Sequence, residues 1–129
     1  MSEQIPQDLQ YSKSHEWIRV LPNGQVEVGI TDHAQSALGD LVFVEVPQLD
    51  RKLAVGEACA VVESVKAASD VYSPVAGRVI ARNEELSQTP ELLNSDPYGA
   101  GWLMRIELDG KVPALLAPSE YQQFLKESE

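Results

Sequence analysis

The chain is poor in cysteine, histidine and basic side chains, and each shortage argues against a class of function. A single cysteine, Cys59, allows no intramolecular disulfide. The two histidines lie in different segments and no Cys-x-x-Cys pair occurs, so a zinc centre is not predicted. Ten basic residues against twenty acidic ones give a net charge of −10. That balance argues against binding a nucleic-acid backbone or an anionic membrane surface.

Long apolar segments are also missing. The longest apolar run has five residues, 58–62, whereas a membrane span needs roughly 20. Cys59 lies within this run with no basic neighbour, and we expect a buried structural thiol rather than a reactive one. Residues 1–10 carry neither the basic start nor the apolar centre of a signal peptide, which favours a cytoplasmic location or an already trimmed form.

Short strands separated by turn residues dominate the pattern. The 129 residues fit one domain, 1–129, with a single modest core. Asn23-Gly24 is a strong hairpin signal between two alternating segments. Strands are predicted over residues 15–20, 25–30, 41–46, 57–63, 69–72, 75–81 and 102–108. The pattern indicates a mainly β sandwich or barrel.

A few helices accompany the strands. Residues 31–38 read as a short helix, with Asp32 and Gln35 as a capping box and Gly39 beyond its end. Helical pieces are predicted around residues 83–94. A terminal helix is predicted over residues 119–126, and Ser119 with Gln122 fits its capping box.

One lysine stands out by its isolation. Lys66 is the only basic residue between Lys52 and Arg78, and it lies between two predicted strands. A lysine on a turn with small neighbours is accessible to another enzyme's active site, which suits enzymatic acylation. A lone lysine on a turn is more often a solvated charge, so the pattern alone leaves both interpretations open.

Catalytic patterns are weak. No Gly-x-Ser-x-Gly elbow occurs, and Ser64 with Lys66 does not have Ser-x-x-Lys spacing. His15 and Glu16 are neighbours on a predicted strand, so their side chains are expected on opposite faces rather than as an acid–base pair. Neither the Gly-x-Gly-x-x-Gly pattern of dinucleotide-binding folds nor a Walker A sequence occurs, so no phosphate-binding loop is predicted. The chain is therefore not predicted to be an enzyme.

Several segments, in order along nearly the whole chain, resemble the H protein of the glycine cleavage system. The segment around the lysine carries the strongest match. The matching stretches are YSKSHEW at 11–17, VGITDHAQ at 28–35, LGD at 38–40, VFV at 42–44, ESVKA at 63–67, SD at 69–70, SPVAG at 73–77, NSDPY at 94–98 and GW at 101–102.

The resemblance implies a mainly β, lipoyl/biotinyl-type barrel-sandwich hybrid with short flanking α-helices, including a C-terminal one. It implies that Lys66 carries lipoic acid as an amide, attached by a lipoate ligase or an octanoyl/lipoyl transferase. The other implied partners are a pyridoxal-phosphate glycine decarboxylase, a tetrahydrofolate-dependent aminomethyltransferase and a dihydrolipoyl dehydrogenase using FAD and NAD. The carrier itself would contribute no catalytic side chain.

The resemblance also implies a polar cleft for the loaded arm. The matching positions are Ser14, Glu16 and Asp70, and a carboxylate there can pair with a cationic amine. Glu63 and Asp70 flank the lysine and are expected to aid its recognition. His15 is interpreted as a structural residue.

Related carriers differ next to the lysine. Biotin carriers have methionines there and dehydrogenase lipoyl domains have aspartate before the lysine, whereas Val65 and Ala67 flank Lys66 here. Two alternatives remain open. One is a related carrier that donates lipoyl groups to other enzymes, and the other is an unmodified interaction protein on the same fold.

Overall fold

The computed structural model describes residues 5–127. In chain order the elements are β1 (Gln10–Tyr11), β2 (Glu16–Leu21), β3 (Gln25–Ile30), α1 (Asp32–Leu38), β4 (Leu41–Glu45), β5 (Lys52–Leu53), β6 (Ala58–Ser64), β7 (Ala68–Tyr72), β8 (Gly77–Arg82), α2 (Leu92–Ser95), β9 (Met104–Leu108) and α3 (Pro118–Glu127). Short 3-10 turns cover Pro22–Gly24 and Glu84–Ser87. In this part of the chain no helix is long and apolar enough to cross a membrane.

The strands form two antiparallel sheets. The larger has the order β1-β2-β3-β9-β8-β5, and the smaller has the order β4-β6-β7. Apolar side chains of both sheets share one buried cluster, including Val28 and Ile106 from the larger sheet and Val62 and Val71 from the smaller. Cys59 belongs to this cluster and is 6% exposed, which confirms the expected buried thiol.

A second buried cluster fixes the C-terminal helix to the sheet. It joins Tyr11 of β1 and Trp17 of β2 to Tyr121 and Leu125 of α3. The Tyr11 and Tyr121 rings stack with centroids 4.6 Å apart. Tyr11 is fully buried, and this burial raises the pKa of its hydroxyl. The mainly β fold with a C-terminal helix is therefore confirmed.

The β2–β3 hairpin turns where Asn-Gly predicted it. Asn23 and Gly24 have φ of 65° and 73°, the left-handed conformation that these two residue types tolerate best. Leu21 pairs with Gln25 across the turn.

The hairpin leaves no room for a side chain at one position. Gly29 lies opposite Trp17, and a Cβ at Gly29 would come within 2.7 Å of the indole ring. The ring cannot shift freely, because Trp17 is fully buried and its Nε1–H donates to the Pro97 carbonyl at 2.9 Å.

Glu27 is a buried carboxylate on β3, at one of the polar positions of the alternating sequence. Glu27 is only 8% exposed and lies between Arg19 of β2 and Arg105 of β9, at 2.8 and 3.0 Å. These three residues are in register across three strands. The Arg19 guanidinium also lies over the Trp17 ring, and that of Arg105 over the Trp102 ring. Ion pairs and cation–π contacts therefore link β2, β3 and β9.

The helix ends differ from the predicted caps. Thr31, not Asp32, caps α1, since its hydroxyl accepts from the Ala34 N–H. Asp32 is the first helical residue, and it accepts instead from the Gln35 side-chain amide at 2.7 Å. Gly39 closes the helix with φ of 86°, as predicted.

The predicted capping box of the terminal helix is wrong. The helix α3 begins at Pro118, which places Ser119 inside it. Proline suits the first helical turn because its missing N–H would have no partner there. The Glu120 carboxylate accepts from the Ala117 N–H at 2.8 Å and supplies the capping bond.

Candidate functional site

Lys66 lies on the turn that joins β6 to β7. The Ser64 N–H donates to the Ala67 carbonyl at 2.7 Å and closes the turn. The Ser64 hydroxyl accepts from the N–H groups of Lys66 and Ala67 at 3.3 and 3.1 Å. Because one side chain satisfies two backbone donors, Ser64 fixes the shape of the turn from within it.

Neighbouring backbone supports the turn from outside. The Val65 N–H donates to the Asp40 carbonyl at 3.1 Å. Asn94 holds the segment that precedes β4: its amide donates to the Gly39 carbonyl and accepts from the Leu41 N–H, both at 2.9 Å. The end of α1 is thereby fixed against the lysine turn.

The Lys66 side chain is exposed among small residues. A Cβ placed on Gly39 would lie 3.6 Å from Lys66 Cε and 4.0 Å from Nζ, so the lysine stem passes over a glycine. Ala67 and Ala68 follow it and are exposed. Within residues 5–127 no carboxylate forms an ion pair with Lys66. The amine is therefore accessible on a defined turn, which fits a site for amide formation with a carboxylic acid.

Glu16 is a buried carboxylate that joins the two sheets. It begins β2 and is 2% exposed. Its Oε2 accepts from the Tyr72 N–H of β7 at 3.2 Å. Its Oε1 accepts from the hydroxyls of Ser12, at 2.6 Å, and Ser14. Burial raises the pKa of this carboxyl, and the serine and backbone donors oppose the rise.

The strand β7 connects Glu16 to the lysine turn. It is an edge strand of the smaller sheet, and Glu16 binds its backbone at Tyr72. Asp70 lies between that point and Lys66, opposite Val61, and is exposed. At about 3.4 Å per residue, four residues of strand separate Lys66 from Asp70 by at most about 14 Å.

Four of the five predicted site residues fall into two groups, Ser14 with Glu16 and Glu63 with Lys66, and Asp70 lies between them. Ser14 and Glu16 are hydrogen bonded to each other. Glu63 is half-buried on β6, opposite Ala68, and adjoins the lysine turn. Asp70 lies along β7 between the two groups, and no hydrogen bond described by the structure joins it to Glu16.

His15 lies on a turn rather than on the predicted strand. Its φ of 72° is outside the extended range of a strand, and β2 begins one residue later, at Glu16. The ring is half-buried and Nδ1 shares a 2.8 Å hydrogen bond with the Tyr121 hydroxyl. That hydroxyl also bonds Thr31 at 2.8 Å. Burial, and then the nearby His33, lower the pKa of His15.

Sequence reasoning did not identify Ser12, Tyr72 or Asn94 as parts of the site. Ser12 and Tyr72 donate to Glu16, and Asn94 supports the segment beside Lys66. Tyr72 and Asn94 act on segments more than 50 residues away, so no local pattern marks them, whereas Ser12 is four residues from its partner Glu16. Two packed β-sheets with an isolated lysine on a hairpin turn are the arrangement typical of lipoyl/biotinyl-type proteins.

Comparison with known proteins identifies the family. The family model described as "Glycine cleavage H-protein" matches residues 9–128. The glycine cleavage system H protein of Aeromonas salmonicida is 58% identical over 125 residues, covering 95% of this chain and 97% of that protein. The one from Alkalilimnicola ehrlichii is 55% identical over 128 residues, 98% of each. The chain belongs to the glycine cleavage H-protein family.

A solved structure agrees with this assignment. The crystal structure of a glycine cleavage system H protein from Mycobacterium marinum superposes with a TM-score of 0.88 at 41% identity. The match covers 95% of this chain and 99% of that one. The recognised family, the lipoyl-type fold and the role of lipoyl carrier in glycine cleavage are therefore confirmed.

Proposed function

We propose that Lys66 is the lipoylation site, and that the chain acts as a non-catalytic carrier between the enzymes of glycine cleavage. The observation that carries this proposal is the exposed lysine, unpaired within residues 5–127, on a turn shaped by Ser64 and bordered by Gly39. A protruding turn can enter the active site of a ligase or transferase, whereas a lysine on a flat sheet face cannot.

The bound lipoyl group supplies a disulfide that accepts the aminomethyl cargo together with two electrons. The chain's own residues hold the attachment point and offer a polar resting place for that cargo. The pyridoxal-phosphate decarboxylase loads the carrier, the tetrahydrofolate-dependent aminomethyltransferase unloads it, and dihydrolipoyl dehydrogenase reoxidises it. Tethering raises the local concentration of the cargo at each site without any new contact.

Glu16 is the main candidate for holding a cationic cargo. Its Oε1 accepts from two serine hydroxyls and its Oε2 from one backbone N–H, which leaves Oε2 able to accept one further donor. Asp70 offers a second carboxylate on the same strand as the lysine turn. Ser14 offers an exposed hydroxyl beside Glu16. Charge-assisted bonds to an ammonium group are stronger than neutral ones, so these groups would slow loss of the amine to water.

The test replaces Lys66 with arginine, which keeps the positive charge and removes the acylable amine. The matched control is Lys52→Arg, since Lys52 is also exposed but lies on β5. We expect Lys66→Arg to fold normally, to gain no lipoyl mass and to support no glycine cleavage in a reconstituted system. Lys52→Arg should be lipoylated and support glycine cleavage as the parent protein does. Normal glycine cleavage by Lys66→Arg would refute the proposal.

The same experiment separates the alternatives. A protein that is lipoylated on Lys66 but fails to support glycine decarboxylation would be a relay carrier for other enzymes. A protein that purified ligase and transferase both leave unmodified would be an interaction protein on this fold.

Recognition by the modifying enzyme is expected to involve Glu63 and Asp70. Charge-neutralising changes, Glu63→Gln and Asp70→Asn, should slow acylation of Lys66 while leaving the fold intact. The exposed Glu45 of β4 gives a matched control, Glu45→Gln. Equal acylation rates for all three variants would remove Glu63 and Asp70 from the recognition site.

A further inference from the structure

We propose that Ser12 is the positioning residue of the cargo site: its hydroxyl holds the Glu16 carboxylate against the edge of β7. This inference rests on the proposed function and adds to it a residue that does not itself touch the cargo. It also assigns different roles to two serines that bind the same carboxylate oxygen.

Ser12 binds Glu16 at both the side chain and the main chain. Its hydroxyl donates to Oε1 at 2.6 Å and accepts from the Glu16 N–H at 3.0 Å. The Ser12 N–H also donates to the Glu16 carbonyl at 2.9 Å. The single proton of this hydroxyl has three acceptors within reach, and the carboxylate at 2.6 Å is nearer than the Glu16 carbonyl or the Ser14 hydroxyl, both at 3.3 Å. The rotamer of Glu16 is therefore coupled to the backbone of its own turn.

Ser14 binds the same oxygen from a more exposed position. It also donates to Oε1, but Ser14 is exposed whereas Ser12 is half-buried. Water can replace an exposed hydroxyl at little cost, and it replaces an enclosed one less readily. Removal of Ser12 should therefore disturb Glu16 more than removal of Ser14 does.

The charges around Glu16 make these donors necessary. In the described part of the chain no cationic side chain forms an ion pair with this carboxylate. From β6 it faces Cys59, whose thiol is neutral because burial raises its pKa to about 12. From β7 it meets the backbone of Tyr72, and the nearby Asp70 is a like charge in solvent. On its own segment His15 has a lowered pKa and is neutral at neutral pH.

The balance at Glu16 sets the direction of the effect. Burial is the first cause that raises the pKa of Glu16, and the Ser12 hydrogen bond leads the contributions that lower it. An ionised carboxylate is needed to hold a cationic amine, so protection exists above this pKa and is lost as pH falls through it. Removing the Ser12 hydroxyl raises the pKa further, and protection should then fail at a higher pH.

The experiment uses the lipoylated carrier, with loading at Lys66 verified by mass, after the decarboxylase has added the aminomethyl cargo. Ammonia release is measured from pH 5 to 8 for the parent, Ser12→Ala, Ser14→Ala and Ser12→Thr. We expect Ser12→Ala to release ammonia roughly tenfold faster near neutral pH, as loss of a hydrogen bond to a charged group implies, with its pH profile displaced upward. Ser14→Ala removes a hydroxyl that is itself proposed to hold the cargo, so it should also speed release, but it should displace the pH profile less than Ser12→Ala does. Ser12→Thr should restore the parent profile.

A second readout avoids the cargo altogether. Carbon-13 NMR titration of the Glu16 carboxyl in the unloaded protein should show a higher pKa in Ser12→Ala than in the parent. Ser12→Cys, whose thiol is a weaker donor, gives a milder variant should the alanine protein fail to fold. An unchanged Glu16 pKa in either folded variant would overturn the proposal.

A double-mutant cycle separates positioning from general stability. With Glu16→Gln in place, Ser12→Ala should add no further increase in ammonia release. An equal increase in both backgrounds would mean that Ser12 acts through the fold, which contradicts the proposal. If Glu16→Gln alone has no effect while Lys66 is lipoylated and supports decarboxylation, the role of Ser12 fails and the carrier function stands. An unmodified Lys66 would instead contradict the carrier function itself.

Discussion

One side chain, that of Ser64, helps to shape the lysine turn, and Ser64→Ala tests its contribution. The Ser64 hydroxyl accepts from the Lys66 and Ala67 N–H groups and donates to the Ala67 carbonyl at 3.2 Å. It is 9% exposed. Alanine keeps the Cβ and removes all three contacts. The Ser64 N–H to Ala67 carbonyl bond remains, so the turn should loosen rather than disappear.

The size of the effect follows from these contacts. An intramolecular hydrogen bond contributes about 0.5–1.5 kcal/mol net. The freed N–H groups belong to exposed residues and can bind water, so each loss lies toward the lower end of that range. We expect Ser64→Ala to cost about 1–2 kcal/mol in total. For a chain of this length that corresponds to a Tm lower by roughly 3–10 °C.

The assay pairs urea denaturation with the rate of Lys66 acylation by a purified lipoate ligase. Acylation should slow by about an order of magnitude, because the enzyme must then select one shape of a looser turn. Ser69→Ala is the matched control, since Ser69 is exposed and its hydroxyl makes only a 3.4 Å bond to a neighbouring carbonyl. Parent-like stability and acylation in Ser64→Ala would refute the argument that this hydroxyl shapes the turn.

Three further changes test the packing and the charges. Gly29→Ala should cost about 1–3 kcal/mol in denaturant unfolding, because the new Cβ overlaps the fixed Trp17 ring; a loss below the error of the fit would contradict this. Glu27→Ala should cost about 1–2 kcal/mol, discounted because its arginine partners are 32% and 42% exposed, whereas Glu45→Ala, at an exposed position of β4, should cost almost nothing. The pKa of His15 is lowered in the folded protein, so the unfolded state binds more protons and stability should fall as pH drops below about 6.5. His15→Gln should flatten that pH dependence, measured as the difference in unfolding midpoint from the parent.

Local patterns were sufficient for much of the fold. Asn23-Gly24 predicted the first hairpin because those residues accept left-handed backbone conformations that few others do. Gly39 predicted the end of α1 for the same reason. Alternating apolar residues indicated the strands well, although β9 begins two residues later than expected, at Met104.

Long-range pairings limited the rest. The two-residue strands β1 and β5 exist because β2 and β8 offer them backbone partners, and two residues carry no periodic signal. Glu27 occupies a polar position in the alternating sequence of β3 and is nonetheless buried, because arginines from two other strands enclose it. No pattern within residues 25–30 could have shown this.

The site shows the same division between local and distant information. The isolation of Lys66 was visible in the sequence, and its turn lies where the two strands predicted it. The anchoring of Glu16 was not visible, since its Tyr72 partner is 56 residues away. Asn94 supports the lysine turn through contacts to Gly39 and Leu41, more than 50 residues distant. Such contacts follow from the packing of the two sheets, which one sequence does not specify residue by residue.

The most direct test of the central claim is the intact mass of the protein purified from lipoate-replete cells, followed by tryptic mapping of the peptide that contains Lys66. The account requires a mass increase of one lipoyl amide and no cleavage after Lys66, because trypsin does not cut at an acylated lysine. An unmodified Lys66 that also resists purified ligase would contradict the account.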